Sequence, residues 1–343
     1  MNHEIDMKNY TVRTDLIVDT FDTLDNPDNI KIDKQEFKDI TVTDIDVLNN
    51  KNSLNKKKGK YITISFKDIT DKDNKKRLQD ILITNIKKML SNMNITFNDK
   101  ALIIGLGNIS STPDALGPKT AQKVLVTKYL FDNEQIEVSN NYRNTSSFIP
   151  GVLATTGMES SDMIKGIIKE SKPDFLIVID ALASSSIDRI NKTIQMTDSG
   201  IYPGSGVGNH RKEISKEVLN IPVLSIGIPT VIEAIVLVSD TIKYMCKHLS
   251  YNKDNYNKNK LIPITNRDYS KYDRELTTIE KQNFLGQVGL LSEQEVKELL
   301  FEVLTPIHYN MMVTPKEIDF LIDQLSDVLA NSINCALHKK FDI

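Results

Sequence analysis

A chain of 343 residues, 40% apolar and 26% charged, can bury a sizeable core, and its length suits one large domain with an insertion, or two domains. A net charge of −3 supplies no basic field to hold nucleic acid or an anionic membrane, so neither is expected as a partner. Cys246 and Cys335 are too few and too far apart for a disulfide framework; with no signal-like apolar N-terminus, they point to a soluble cytoplasmic protein.

Residues 1 to about 28 are polar and acid-rich, with one alternating piece, Thr11 to Val18, and are expected to form an arm outside the core. From Ile30 to Val47 and from Tyr61 to Phe66 apolar and polar residues alternate, the pattern of half-exposed antiparallel strands. The lysine- and asparagine-rich stretch Asn49 to Lys60 joins them, giving a small β-rich subdomain over about 28–70. Between Arg77 and Met93, Leu78, Ile81, Leu82, Ile86, Met89 and Leu90 keep helical spacing, and an α/β core is expected over about 71–343.

Ala101 to Ile104 is a short apolar run expected to be a strand buried on both faces, broken by Gly105 and Gly107. The polar loop that follows carries Asp114, and Gly117-Pro118 opens a helix with Ala121, Val124, Leu125 and Tyr129 on one side. Next come an expected strand at Phe148 to Ala154 and a helix from about Asp162. Phe175 to Ile179 is a second buried run, ending directly in Asp180. Ligands and chemistry collect beyond the carboxyl ends of strands in open α/β sheets, so Asp114 and Asp180 would face one crevice if their strands are neighbours.

Thr193 to Met196 reads as one more strand, leading to the loop Ser199 to Arg211, which holds Gly200, Gly204, Gly206 and Gly208. Val223 to Ile228 is another buried strand, and Thr230 to His248 an apolar helix. The longest apolar run, Ile226 to Val238, is interrupted by Pro229 and Glu233 and is too short to span a bilayer. Tyr251 to Lys260 is a hydrophilic linker. The last helix is expected to start at Thr314 as N-cap, with Pro315 at the first helical position, Glu317 closing a capping box, and Ile318, Leu321, Ile322, Leu325, Val328 and Leu329 buried. Strands alternating with helices predict an α/β fold, a largely parallel or mixed sheet covered by helices on both faces.

Two carboxyls held close cannot both ionise cheaply, so one ionised and one protonated aspartate would form an acid–base pair able to activate water. Asp is also an ordinary turn residue, and both readings of Asp114 and Asp180 stand on these residues alone. Gly105-Leu-Gly107 is not a dinucleotide fingerprint, because Ser110 occupies the third glycine position, and the second glycine loop fails the spacing too. Either loop could cradle an anion or a peptide carbonyl on backbone N–H groups, or simply turn. A metal site would draw on Asp114, Asp180, Glu159 and His210, without a helical HExxH pair or CxxC. Ser184 to Ser186 lack a nucleophile elbow, and His248 and His338 near helix C-termini suit the dipole without chemistry.

In TPDALGP (112–118), IDALA (179–183), PGSGVGN (203–209), VTPKEID (313–319) and YTVRTDL (10–16), the chain resembles the germination proteases of spore-forming bacteria over nearly its whole length. The resemblance implies an endopeptidase that degrades small acid-soluble spore proteins in the cytoplasm of the spore core. It implies an atypical aspartic-type peptidase akin to hydrogenase maturation endopeptidases, with Asp114 and Asp180 catalytic and no cofactor. It also implies a homotetramer made as a zymogen, with residues 1–15 a propeptide, 16–343 the mature peptidase, and self-cleavage between Asp15 and Leu16. Gly204, Gly206, Gly208, Asn209 and Arg211 are expected to bind substrate, Arg211 or Lys212 attracting the acidic residue before the scissile bond. This chain departs from the family pattern at Ile17, where alanine is usual, at Ser185, where arginine is usual, and at His210, where lysine is usual. A metal-dependent peptidase built on the same carboxylates and a non-enzymatic module binding an anion or a protein are the alternatives.

Overall fold

The computed structural model describes residues 14–21, 28–132, 138–204, 212–255, 274–304 and 311–341. In chain order its elements are α1 (Ile17–Phe21), β1 (Ile30–Phe37), β2 (Ile40–Val47), β3 (Gly59–Phe66), α2 (Lys72–Asn92), β4 (Ala101–Gly105), α3 (Leu116–Lys123), α4 (Lys128–Asp132), α5 (Val138–Asn141), β5 (Thr145–Phe148), α6 (Leu153–Thr156), α7 (Ser160–Ser171), β6 (Phe175–Ser184), β7 (Thr193–Thr197), α8 (Lys216–Leu219), β8 (Val223–Glu233), α9 (Ala234–Asn255), α10 (Thr278–Leu285), α11 (Glu293–Leu304), β9 (Met312–Val313) and α12 (Ile318–Leu337). The chain divides into two compact units, the larger built from 13–184, 188–231 and 314–343 and the smaller mainly from 232–313.

In the larger unit the strands lie in the order β1-β2-β3-β7-β8-β6-β4-β5. β4 pairs in parallel with both β5 and β6, while β1, β2, β3, β7 and β8 pair antiparallel. The sheet is therefore mixed, and the antiparallel strands near the N-terminus extend it through the β3–β7 pairing instead of forming a sheet of their own. β4 and β6 alternate between two cores, as strands covered on both faces must. Ile103, Ile177 and Ile179 join Leu82, Leu116 and Leu329 from α2, α3 and α12. Leu102, Ile104 and Val178 join Ile164 of α7 and Leu219 of α8 on the other face.

α2 starts where Asp71 caps it, the carboxylate accepting the Asn74 N–H at 2.7 Å, and buries Leu78, Leu82, Ile86, Met89 and Leu90 at helical spacing. α12 buries Ile322, Leu325 and Leu329 beside it, and Lys75 Nζ donates to Gln324 Oε1 at 2.7 Å. In the smaller unit Ile235 of α9 packs on Phe301 of α11, and β9 pairs with the last two residues of β8.

Four expectations are corrected. The segment read as an arm carries Leu16 and Ile17, both fully buried against Ile45, Leu54 and Leu182, because its aliphatic residues find an apolar recess. The strand expected at 148–154 is Thr145–Phe148, stopped by Pro150-Gly151, where Gly151 takes φ +71°. Thr230 to Glu233 continue β8, since Pro229 and three β-branched residues favour strand and Ile232 finds Val313 as partner. The last helix begins at Ile318, because the Thr314 hydroxyl donates to the Thr230 carbonyl at 2.8 Å instead of capping.

Candidate active site

β4 and β6 run parallel in the register Ile104↔Val178 and Gly105↔Ile179, and the Leu106 N–H extends the ladder by donating to the Ile179 carbonyl at 2.8 Å. β4 ends there, while β6 runs on to Ser184. After β4 the chain turns back sharply in a 3₁₀ turn, Thr112–Asp114. Gly107 makes this possible: it takes φ +116°, and a Cβ there would sit 2.0 Å from the Asp114 carbonyl oxygen. Gly117 does the same for α3, since a Cβ would lie 2.2 Å from the Leu106 oxygen and 2.5 Å from the Ile179 oxygen. These glycines serve close backbone approach, and the space beside them is filled by protein.

Asp114 Oδ2 accepts the Asn108 N–H at 2.7 Å, which fixes the carboxyl above the end of β4. Asp180, buried in β6, accepts its neighbour Ala181 N–H at 2.9 Å. Side chains alternate along a strand, so Asp180 lies on the face of Val178 and Leu182, about 6.6 Å along the strand from each. The structure thus brings Asp114 and Asp180 onto neighbouring strands, Asp114 in the turn after β4 and Asp180 not at a strand end, as expected, but inside β6, which runs on to Ser184 just past its pairing with β4.

Asp15 lies along the same end of β6. Its N–H donates to the Ala183 carbonyl at 3.1 Å, and its Oδ2 accepts the Ala183 N–H at 2.9 Å. The Asp15 carbonyl accepts from Gln195 Nε2 at 3.1 Å and Lys56 Nζ at 3.4 Å, and Gln195 Oε1 takes the Ile17 N–H at 2.7 Å. The bond between Asp15 and Leu16 is therefore gripped on both sides by one carboxamide. Asp19, buried behind it, binds the Arg189 guanidinium and the hydroxyls of Thr14 and Ser184. A cleft of about 320 Å³ opens beside these groups, lined among others by Asp15, Lys56, Tyr61, Leu182, Gln195 and Ser225. Burial lowers the Lys56 pKa, the carboxylates of Asp15 and Asp19 working against it. Burial likewise raises the Tyr61 phenol.

Of the glycine loop, Gly204 lies in a turn at φ +68°, while Gly206, Gly208, Asn209, His210 and Arg211 lie outside the described residues. The Lys212 ammonium pairs with Asp162 at 2.7 Å at the start of α7. Among the described residues no group of three His, Cys, Asp or Glu side chains is placed to hold a metal ion. His338, read as a cation at a helix end, is buried beside Arg143, and burial with that guanidinium pushes its pKa down to about 4. No helix of the described residues is long and apolar enough to cross a membrane.

Sequence reasoning missed Lys56 and Gln195. Lys56 is one of several lysines in a polar loop, indistinguishable there from its solvated neighbours. Gln195 carried a signal, a lone amide between the fully buried Ile194 and Met196.

Residues 9–343 match the family model described as germination protease. The chain is 41% identical to the germination protease of Bacillus subtilis (strain 168), covering 98% of this chain and 96% of that one. It is 48% identical to the germination protease of Oceanobacillus iheyensis, covering 77% and 73%. Among solved structures it is similar to a NiFe hydrogenase maturation protease from Thermococcus kodakarensis KOD1, at 18% identity and a TM-score of 0.28, covering 42% of this chain and 80% of that one, a likeness too weak to carry a fold assignment. With the family model spanning nearly every residue, the chain belongs to the germination protease family and is an endopeptidase.

Proposed function

We propose that this endopeptidase degrades small acid-soluble spore proteins in the spore core during germination, using Asp114 and Asp180 to activate water. It is made as a zymogen, removes residues 1–15 by cutting between Asp15 and Leu16, and works as a homotetramer. In the reaction the ionised carboxylate of the pair takes a proton from water while the protonated partner donates to the carbonyl oxygen. Water oxygen adds to the carbonyl carbon, the C–N bond breaks, and the departing amine leaves with a proton.

The observation that supports this reading best is the parallel pairing of β4 with β6, whose ladder reaches Leu106–Ile179, next to Asp180 in β6 and below the turn that carries Asp114. The grip of Gln195 and Lys56 on the Asp15 carbonyl supports Asp15–Leu16 as the processed bond. Self-processing in cis needs the segment held in one extended pose, since pre-positioning a bond is worth several orders of magnitude in rate. Incubating the purified full chain alone and with a small acid-soluble spore protein, with mass analysis of both, tests the reading. A product beginning at Leu16, and spore-protein fragments ending in an acidic residue, are expected; an unchanged chain beside intact spore protein contradicts it.

A further inference from the structure

Asp15 is met by an oriented N–H at its side chain and by a cation at its main-chain carbonyl. The Ala183 N–H meets its carboxylate at 2.9 Å, and Lys56 Nζ lies 3.4 Å from its carbonyl oxygen. Lys56 stands on the loop between β2 and β3, which Asn52 pins by accepting the Lys56 N–H at 3.3 Å and donating to the Lys56 carbonyl at 2.7 Å. The main chain of Lys56 is therefore held in place, its side chain is half-buried, and the negative charges of Asp15 and Asp19 favour its charged form against the cost of burial. Asp19 has its own cation, Arg189.

We propose that Lys56, with the Ala183 N–H, forms the subsite that selects an acidic side chain before the scissile bond, filled first by this chain's own Asp15 and then by an acidic residue of a substrate protein. This deepens the function proposed above and rests on the reading of Asp15–Leu16 as the processed bond. When the segment ending at Asp15 departs, the half-buried ammonium loses a carboxylate, and a buried cation with less compensating charge is costly. An acidic side chain entering the cleft beside Leu182 and Gln195 restores the compensating charge, which a neutral amide of the same shape does not supply. Selection by a desolvated charge of this kind is worth roughly thirtyfold or more in rate.

The test uses the full chain and three variants, Asp15→Asn, Lys56→Met and the double variant, followed by mass analysis for the form beginning at Leu16. Each single change is expected to slow self-processing roughly thirtyfold or more, and the double variant to be no slower than either single one. A second measurement uses processed wild-type and Lys56→Arg proteins on the peptide of residues 9–20 and its Asp15→Asn counterpart. The wild type should prefer the acidic peptide by a similar factor, and Lys56→Arg, which keeps the charge, should retain a preference. Effects of the single changes that simply multiply in the double variant, or Lys56→Met processing at the wild-type rate, overturn the subsite while leaving the processing reading intact. A wild-type chain that leaves the Asp15–Leu16 bond uncut overturns both.

Discussion

Gln195 Nε2 donates to the carbonyl oxygen of Asp15 at 3.1 Å, and the other end of the same carboxamide accepts the N–H of Ile17 at 2.7 Å. One side chain thus does what a neighbouring strand would do, fixing the peptide bond that lies between its two contacts. Gln195→Glu keeps the acceptor for Ile17 but removes the donor and sets a second negative charge beside Asp15. Self-processing is expected to slow by roughly tenfold to a hundredfold, the worth of one or two hydrogen bonds at a reacting carbonyl. A time course of the Leu16 form by mass spectrometry checks this.

Leu16 is fully buried, so its truncation leaves a hole among Ile45, Leu54 and Leu182. Leu16→Ala should lower unfolding stability by about 2–5 kcal/mol, measured by urea denaturation. An exposed arm would show almost no change.

Gly107 stands at φ +116° with the Asp114 carbonyl against its missing side chain. Gly107→Ala forces either the turn or the strand end to move, at a cost of about 2 kcal/mol or more. Because the displaced turn carries Asp114, peptidase activity should fall much further than the loss of stability explains. Thermal unfolding alongside a peptide-cleavage assay separates the two effects.

His338 accepts the Arg143 N–H on Nδ1 at 3.1 Å and has a pKa pushed down to about 4 by burial and the neighbouring guanidinium. Its folded pKa lies below the ordinary value near 6.5, so the unfolded chain takes up the proton first as pH falls. The contribution is complete above about pH 6.5 and drains away down to about pH 4, by up to about 3 kcal/mol. Urea unfolding at a series of pH values should show a shallower decline over that window for His338→Gln than for wild type.

Much of this architecture was legible because burial on two faces leaves an unmistakable apolar run: ALII at 101–104 and FLIVI at 175–179 are both strands, although the second runs on through Asp180 to Ser184, which the acid and the small residues after it concealed. Their adjacency was not legible, since parallel pairing is decided by packing far along the chain. The burial of Leu16 and Ile17 was missed because one short alternating piece in a polar, acid-rich segment does not show which surface will cover it. Thr314 looked like a cap because sequence shows the helix that follows it but not the Thr230 carbonyl that takes its hydroxyl. Lys56 was hidden by its neighbours, whose charges make the whole loop read as solvated.

The account stands on Asp114 and Asp180 acting as one acid–base pair, and two conservative variants test it directly. Asp114→Asn and Asp180→Asn keep the shape of each side chain while removing its capacity to take or give the proton. Each should fold with an unchanged circular dichroism spectrum, leave the Asp15–Leu16 bond intact, and cleave a small acid-soluble spore protein at least about a thousandfold more slowly than wild type. Wild-type cleavage by either folded variant would contradict it.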